Sequence, residues 1–454
     1  MTKIKHASAE QSEPNNSKER LNYKQSLTDK ETLKWLEADE KYFLHQELST
    51  PVMNMLSKAI GASIYDLTGK KYLDMHGNGV HNVGFNRKEV IAAAHEQLNS
   101  DLNFTPRRYS NIPTIQLAKK LIEVSPKGLE RVLFCPGGSQ AIEMAVMLAK
   151  QVTGRFKTIS YWGSYHGTGF QAASIGAEEH FSTGNGPMLP GTFYVDFPNL
   201  YRNPWGFTTA EQVEKECIRQ IKNVINHHPD IACIVGEPIS ATPWVPSKKY
   251  WQEIRNICDE HGILLIFDEV IEGFGRTGKM FASDHFITPD VLVMGKSLGG
   301  GLVPFAGILT KEKFNVLQHR SIGHYTHEKN PLCSAIALAN IEVIEKEGLL
   351  EKAAENGKYL KHRLLELKNK YPLVGNVEGV GMHLGIDLVK DEVSKEKARE
   401  EAEKIMYLAM EQGVAFKIIE GNVLTLRPSL VITKEEIDEV AKVLDEAIGK
   451  IVNG

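Results

Sequence analysis

Cysteine is scarce in this chain. Cys135, Cys217, Cys233, Cys258 and Cys333 are five among 454 residues, an odd number, and no two form C-x-x-C. A disulfide framework and a structural zinc site are both excluded by that pattern, which fits reduced thiols in a cytosol. Long apolar runs are missing too, none approaching the roughly 18 residues of a membrane helix. The opening stretch, MTKIKHASAEQSEPNNSKER, lacks the apolar core of a signal peptide. Charge of one sign is not in excess either: 53 Lys+Arg stand against 57 Asp+Glu, a net charge of −4. Neither nucleic acid nor an anionic membrane is therefore expected as a partner. Among the 16 histidines there is no H-E-x-x-H or other paired ligand spacing, so no metal site is expected. A soluble cytoplasmic protein is the expectation.

What is present is ordinary for a soluble globular protein, with 42% apolar and 24% charged residues. The length predicts two or three domains. Residues 1–28 are polar without an apolar period and read as a mobile arm. Residues 29–75 read as the N-terminal part of a small domain, with two short strands around the Thr-Gly turn of ASIYDLTGKKYLDMHG. From 76 to 330, helices alternate with the β-rich runs RVLFCP, TISYW, ACIVGEP, LLIFDEV and VLVMGK. Such alternation predicts an α/β fold: a large domain whose mostly parallel central sheet is flanked by helices. Residues 331–454 complete a smaller α+β domain with the short segment VLTLRPSLVI and a last amphipathic helix.

A parallel sheet places its chemistry at the carboxyl ends of its strands, so polar residues that end apolar runs are the candidates. Gly137-Gly138-Ser139-Gln140 follows one strand and opens a helix, where free N–H groups attract a phosphate. A plain strand-to-helix turn with Ser139 as the cap is the alternative. Asp268 and Glu269 end ILLIF; a buried carboxylate there needs a cationic ligand or an ion pair inside the fold. Lys296 ends VLVMG beside Ser-Leu-Gly-Gly-Gly, a setting that can desolvate an amine into a nucleophile. Two glycine-rich segments are decoys. Gly273 to Lys279 resembles a nucleotide P-loop, but Met280 follows where a hydroxyl must bind Mg²⁺. The glycines near Gly379 and Gly381 miss the dinucleotide spacing by one residue.

A lysine Schiff base with an Asp partner for a pyridine nitrogen marks pyridoxal phosphate (PLP) enzymes. The segment FDEVIEGFGRTGKMFASDHFITPDVLVMGKSLGGGLVPFAG resembles the signature of class III aminotransferases of PLP fold type I. The resemblance extends from GASIYDLTGKKYLDMHGNGVHNVGF to LRPSLVIT. It implies that Lys296 carries PLP as an aldimine and shuttles a proton, while Asp268 pairs with the pyridine nitrogen. It further implies that Gly138 and Ser139 bind the phosphate, Tyr165 stacks on the ring, Val270 packs its other face, and Glu237 lies near the ring hydroxyl. Thr326 falls where the family completes the phosphate site from the partner subunit of a homodimer or larger homo-oligomer. The sequence also departs from the family pattern. Ile271 stands where a glutamine often follows Asp-Glu-Val, and Glu328-Lys329 replace Gly-Gly. Thr425 aligns with an arginine that some members aim at an α-carboxylate, with Arg427 two residues on.

The leading expectation is an aminotransferase that moves an amino group from an amino acid or ω-amine to a keto acid. A second is an ammonia-lyase, phospho-lyase or racemase on the same fold, acting for example on 1-hydroxy-2-aminoethylphosphonate. Arg107, Arg108, Lys329 and Arg427 are the candidate cations for such a dianion, since arginine meets phosphonate in a bidentate fork. A third, a PLP-fold binding module without turnover, conflicts with the presence of both Lys296 and Asp268.

Overall fold

Runs such as LLIFD are apolar on both sides of the pleat, so a sheet made of them must be covered twice. The computed structural model, which describes residues 16–47 and 49–453, shows that arrangement. The chain forms two units. One holds the chain up to Gly77, Gly84–Asn86, and everything from Glu355 on; the other holds Asn78–Val83 and Arg87–Ala354.

The larger unit is built on a seven-stranded sheet. In spatial order its strands are Arg131–Cys135, Ala306–Thr310, Val291–Met294, Leu264–Asp268, Ile231–Gly236, Lys157–Tyr161 and Thr192–Val195. Ala306–Thr310 pairs antiparallel with both neighbours and the other pairs are parallel, so six strands share one direction. Ile266 and Val293 belong to the buried cluster formed with helix Gly138–Thr153. Alternation turns Phe267 the other way, and it meets Trp251 of helix Lys248–His261 with ring centroids 4.7 Å apart. Helices therefore cover both faces. Helix Pro331–Lys346 also belongs to this unit, which ends at Ala354 where the sequence reading sets its end at about 330. It packs on helices Lys88–Leu98 and Ile112–Val124, and buried Asn340 Nδ2 donates to the Ser297 carbonyl at 2.9 Å.

The smaller unit has two four-stranded sheets. The first carries the expected pair around the Thr-Gly turn, Ser63–Asp66 and Lys71–Asp74; the second includes Val423–Leu426. Helix Lys434–Asn453 buries an apolar face of Ile437, Val440, Leu444 and Ile448. The expected mobile arm needs correction. Residues 1–15 lie outside the described residues, but Lys18–Ser26 is a helix whose first turn is capped by Ser17. Its Tyr23 is buried against Tyr407, and Arg20 Nη2 donates to the Pro51 carbonyl at 2.6 Å.

Candidate active site

Because six strands run the same way, their carboxyl ends bring distant parts of the sequence to one edge of the sheet. Gly137 and Gly138 come just after Arg131–Cys135, Tyr165 after Lys157–Tyr161, and Glu237 after Ile231–Gly236. Asp268 ends its strand, and Lys296 lies two residues past Met294. A cavity of about 470 Å³ is lined by all of these, together with Ser139 and Val270. The seven cofactor-site candidates of the larger unit other than Thr326 are thus brought together.

Helix Gly138–Thr153 starts at the cavity wall with Gly137 as its N-cap. Ser139 is therefore not the cap but the second helical residue. Its Oγ accepts a hydrogen bond from the Thr168 N–H at 3.1 Å. The approach is tight: a Cβ at Gly167, where φ is +122°, would lie 2.2 Å from Ser139 Oγ. The glycine of Tyr-His-Gly is thereby required by the serine of the cup. Val270 packs between Gly138 and Gly295, where added Cβ atoms would lie 3.5 and 3.4 Å from its Cγ1. Tyr165 is packed against Phe181, centroids 4.5 Å apart, and burial raises its pKa.

Asp268 is held at both oxygens. Oδ1 accepts from the Val270 N–H at 3.1 Å, and Oδ2 lies 2.8 Å from His166 Nδ1. Asp268 thus has an internal hydrogen-bond partner in His166 and also an open face on the cavity. Lys296 opens a short 3₁₀ turn with φ +43°, a left-handed conformation that non-glycine residues adopt mainly where function demands it. Its chain runs past Gly79, where a Cβ would lie 3.6 Å from Lys296 Cδ.

The next residue, Glu269, has a different destination. It is fully buried and accepts the Ala282 and Ser283 backbone N–H groups. Burial pushes its carboxyl up to about 7, against those two donors. It anchors the segment after the strand and does not line the cavity.

Four other candidates gather elsewhere in the larger unit. Arg107 Nε lies 3.8 Å from Glu328 Oε1, and Asn111 Nδ2 donates to the Lys329 carbonyl at 2.9 Å. Arg108 and Thr326 are exposed on the same pair of loops, 104–111 and 326–330. None of the four lines the cavity. Arg427 belongs to the smaller unit, where it is buried just after strand Val423–Leu426 and its N–H donates to the Met75 carbonyl. Val80, His166 and Phe305 are among the cavity groups that escaped the sequence reading. Val80 carried no signal. His166 had one, since a buried carboxylate calls for a donor and the imidazole adjoins Tyr165.

A phosphate seat at a helix start, a carboxylate for a ring nitrogen and a strand-end lysine suit PLP, and these groups share one cavity. Fold and site define a PLP enzyme of fold type I. The chain belongs to the class III aminotransferase family, whose model it matches over residues 45–448. It is 40% identical to the (R)-1-hydroxy-2-aminoethylphosphonate ammonia-lyase of Vibrio splendidus, over 96% of this chain and 94% of that one. It is 33% identical to isoleucine 2-epimerase of Lentilactobacillus buchneri, over 93% and 95% of the two chains. A solved (S)-enantioselective omega-transaminase from Thermomicrobium roseum superposes with a TM-score of 0.87 at 28% identity, covering 92% of this chain and 99% of the other. The protein is a PLP-dependent enzyme. No helix among its described residues is long and apolar enough to cross a membrane.

Proposed function

We propose that the enzyme releases ammonia from a small phosphonate-bearing amine with a hydroxyl on the adjacent carbon, which leaves as that amine's carbon loses its proton; hydrolysis then gives an aldehyde and ammonia, with no keto acid as acceptor. The observation that carries this reading is the end-to-end likeness to the ammonia-lyase, which exceeds that to the epimerase or the transaminase. Thr425 agrees with it. Wholly buried in strand Val423–Leu426, it occupies the place where some family members carry an arginine for an α-carboxylate. A transferase must seat a keto acid after the donor has given up its nitrogen and left as a carbonyl product, and gains from that cation. An enzyme that only expels ammonia has no such second substrate.

PLP supplies the electron sink that stabilises negative charge at the substrate carbon. The chain's own residues do the rest. Lys296 Nζ would hold the cofactor and would move the proton at the substrate carbon bearing nitrogen. The Asp268 carboxylate keeps a proton on the ring nitrogen. Gly138 and Ser139 would hold the phosphate, Tyr165 and Val270 would contact the ring, and Glu237 would bind on the side of the ring hydroxyl. We assign the substrate dianion to Arg108 and Lys329, because Glu328 already meets Arg107. Thr326 and these cations would act in the cavity of a second subunit. Their place outside their own cavity supports a homodimer, as do the adjoining exposed side chains of Tyr109, Ile112 and Ile115.

The test is an amine panel that includes 1-hydroxy-2-aminoethylphosphonate, run with and without pyruvate or 2-oxoglutarate. Free ammonia without keto acid is expected. Strict dependence on a keto acid, with no ammonia formed, would establish the aminotransferase reading that the omega-transaminase fold supports.

A further inference from the structure

We infer that Asn340, on helix Pro331–Lys346, is a positioning residue whose amide clamps the turn that presents Lys296 to the cavity. This rests on the assignment of Lys296 to the cofactor. Lys296 opens the short turn Lys296–Gly299 with φ +43°. Non-glycine residues seldom adopt that left-handed backbone, and such strain persists only where surrounding contacts over-determine it. Within the turn, the Leu298 N–H donates to the Gly295 carbonyl and the Gly300 N–H to the Ser297 carbonyl, both at 2.9 Å. Those bonds are local and do not tie the turn to anything beyond itself.

Asn340 supplies that tie. It is fully buried, on a helix that also buries Ile336, Ala337, Ile341 and Ile344. An amide in such surroundings costs free energy unless it is hydrogen-bonded. Leucine has the same branched shape and would carry no such cost. Asn340 Nδ2 donates to the Ser297 carbonyl at 2.9 Å, while Oδ1 has no hydrogen-bond partner among the described residues. The carbonyl of the residue after Lys296 is thus what the amide serves. That carbonyl is met from two sides, by the Gly300 N–H of its own turn and by the helix. The fit leaves no slack, since a Cβ at Gly300 would lie 2.9 Å from Val90 Cγ1 and 3.2 Å from Ile336 Cγ2. Helix Pro331–Lys346 therefore gives the glycines a surface to rest on and the turn one polar anchor.

A buried asparagine that only fills space makes a different forecast from one that clamps the turn. Asn340→Leu keeps the shape and removes the donor, and hydrogen exchange of the full-length enzyme, with and without PLP, reads the turn directly. Exchange in peptides covering residues 295–303 should quicken roughly threefold to tenfold, while helix Gly138–Thr153 stays as in wild type. The cofactor-stripped chain should form its borohydride-stable PLP adduct at Lys296 more slowly by a similar factor. Asn340→Asp adds a pH dependence. A protonated carboxyl can donate to the Ser297 carbonyl as the amide does, whereas a carboxylate cannot. Compared with wild type at each pH, that variant should match it in acid and reach the Asn340→Leu level once its carboxyl ionises. It also carries the test if Asn340→Leu does not accumulate as folded protein. Wild-type exchange and adduct formation in Asn340→Leu, with only the thermal midpoint changed, would overturn the inference. An Asn340→Asp enzyme whose difference from wild type does not vary with pH would do the same. A wild-type adduct on a lysine other than Lys296 would instead bring down the assignment on which this role depends.

Discussion

The strand ends around the cavity and the loop pair 104–111 and 326–330 both hold residues that the sequence singles out, yet they are built differently. At the strand ends, backbone pairing places the groups: Asp268 is in register with Val293, and Lys296 lies two residues past the end of that neighbouring strand. The positions follow from the sheet itself. In the loop pair, Arg107 and Glu328 approach only to 3.8 Å, while Arg108 and Thr326 are exposed. At 3.8 Å the pair is too long for a hydrogen bond and ties the two loops only weakly. The strand-end groups thus share one cavity within the chain, whereas the loop groups lie outside it.

The largest test of this contrast is Lys296→Ala. Turnover should fall by about 10²–10⁴-fold or more, the usual contribution of a positioned proton-transfer group. Borohydride-reduced protein should show no cofactor adduct by mass spectrometry, and an adduct at another lysine would reassign the role. Asp268→Asn comes next, with kcat lower on the order of a hundredfold because a charge-assisted hydrogen bond is lost. Near-normal turnover in that variant would detach Asp268 from the ring nitrogen.

Arg108→Ala should lower kcat/KM for a phosphonate amine by roughly tenfold, with PLP occupancy and a neutral amine of equal length little affected. Equal losses on both substrates would make the loop pair structural. A fully active monomer by light scattering would remove the second subunit from the argument altogether.

The smallest effect is on stability. Glu269 has a folded pKa of about 7 against an ordinary 4.5, so the fold favours its protonated form. Its contribution is complete below 4.5 and is lost as pH rises through about 7. The thermal midpoint should therefore decline across that window, and Glu269→Gln should flatten the slope while kcat stays near wild type. An unchanged slope would show that the two backbone donors keep Glu269 ionised throughout.

Residues at the ends of ILLIF and VLVMG were legible because an apolar run closed by a charge has few explanations other than a strand entering a site. Strand Ala306–Thr310 escaped notice, being short and interrupted by Gly307. Helix Lys18–Ser26 was illegible for a tertiary reason: KERLNYKQS has no apolar period, and its order comes from the Ser17 cap and from Tyr23 meeting Tyr407 far along the chain. The end of the larger unit was hidden likewise. Helix Pro331–Lys346 reads as helix in either unit, and only its packing on Lys88–Leu98 and Ile112–Val124 assigns it. His166 was the most consequential omission, since pairing an imidazole with an acid 102 residues away requires the sheet to be built first.

The contact between Gly167 and Ser139 has a practical meaning for anyone reshaping this enzyme. Because a single methyl at Gly167 would collide with the serine hydroxyl, the loop carrying Tyr165 and the start of helix Gly138–Thr153 behave as one jaw. Moving that loop outward to admit a bulkier substrate would break the hydrogen bond from the Thr168 N–H to Ser139 Oγ at the start of that helix. Room for new substrates is better sought from Ile271 or Phe305, which line the same cavity without belonging to that jaw.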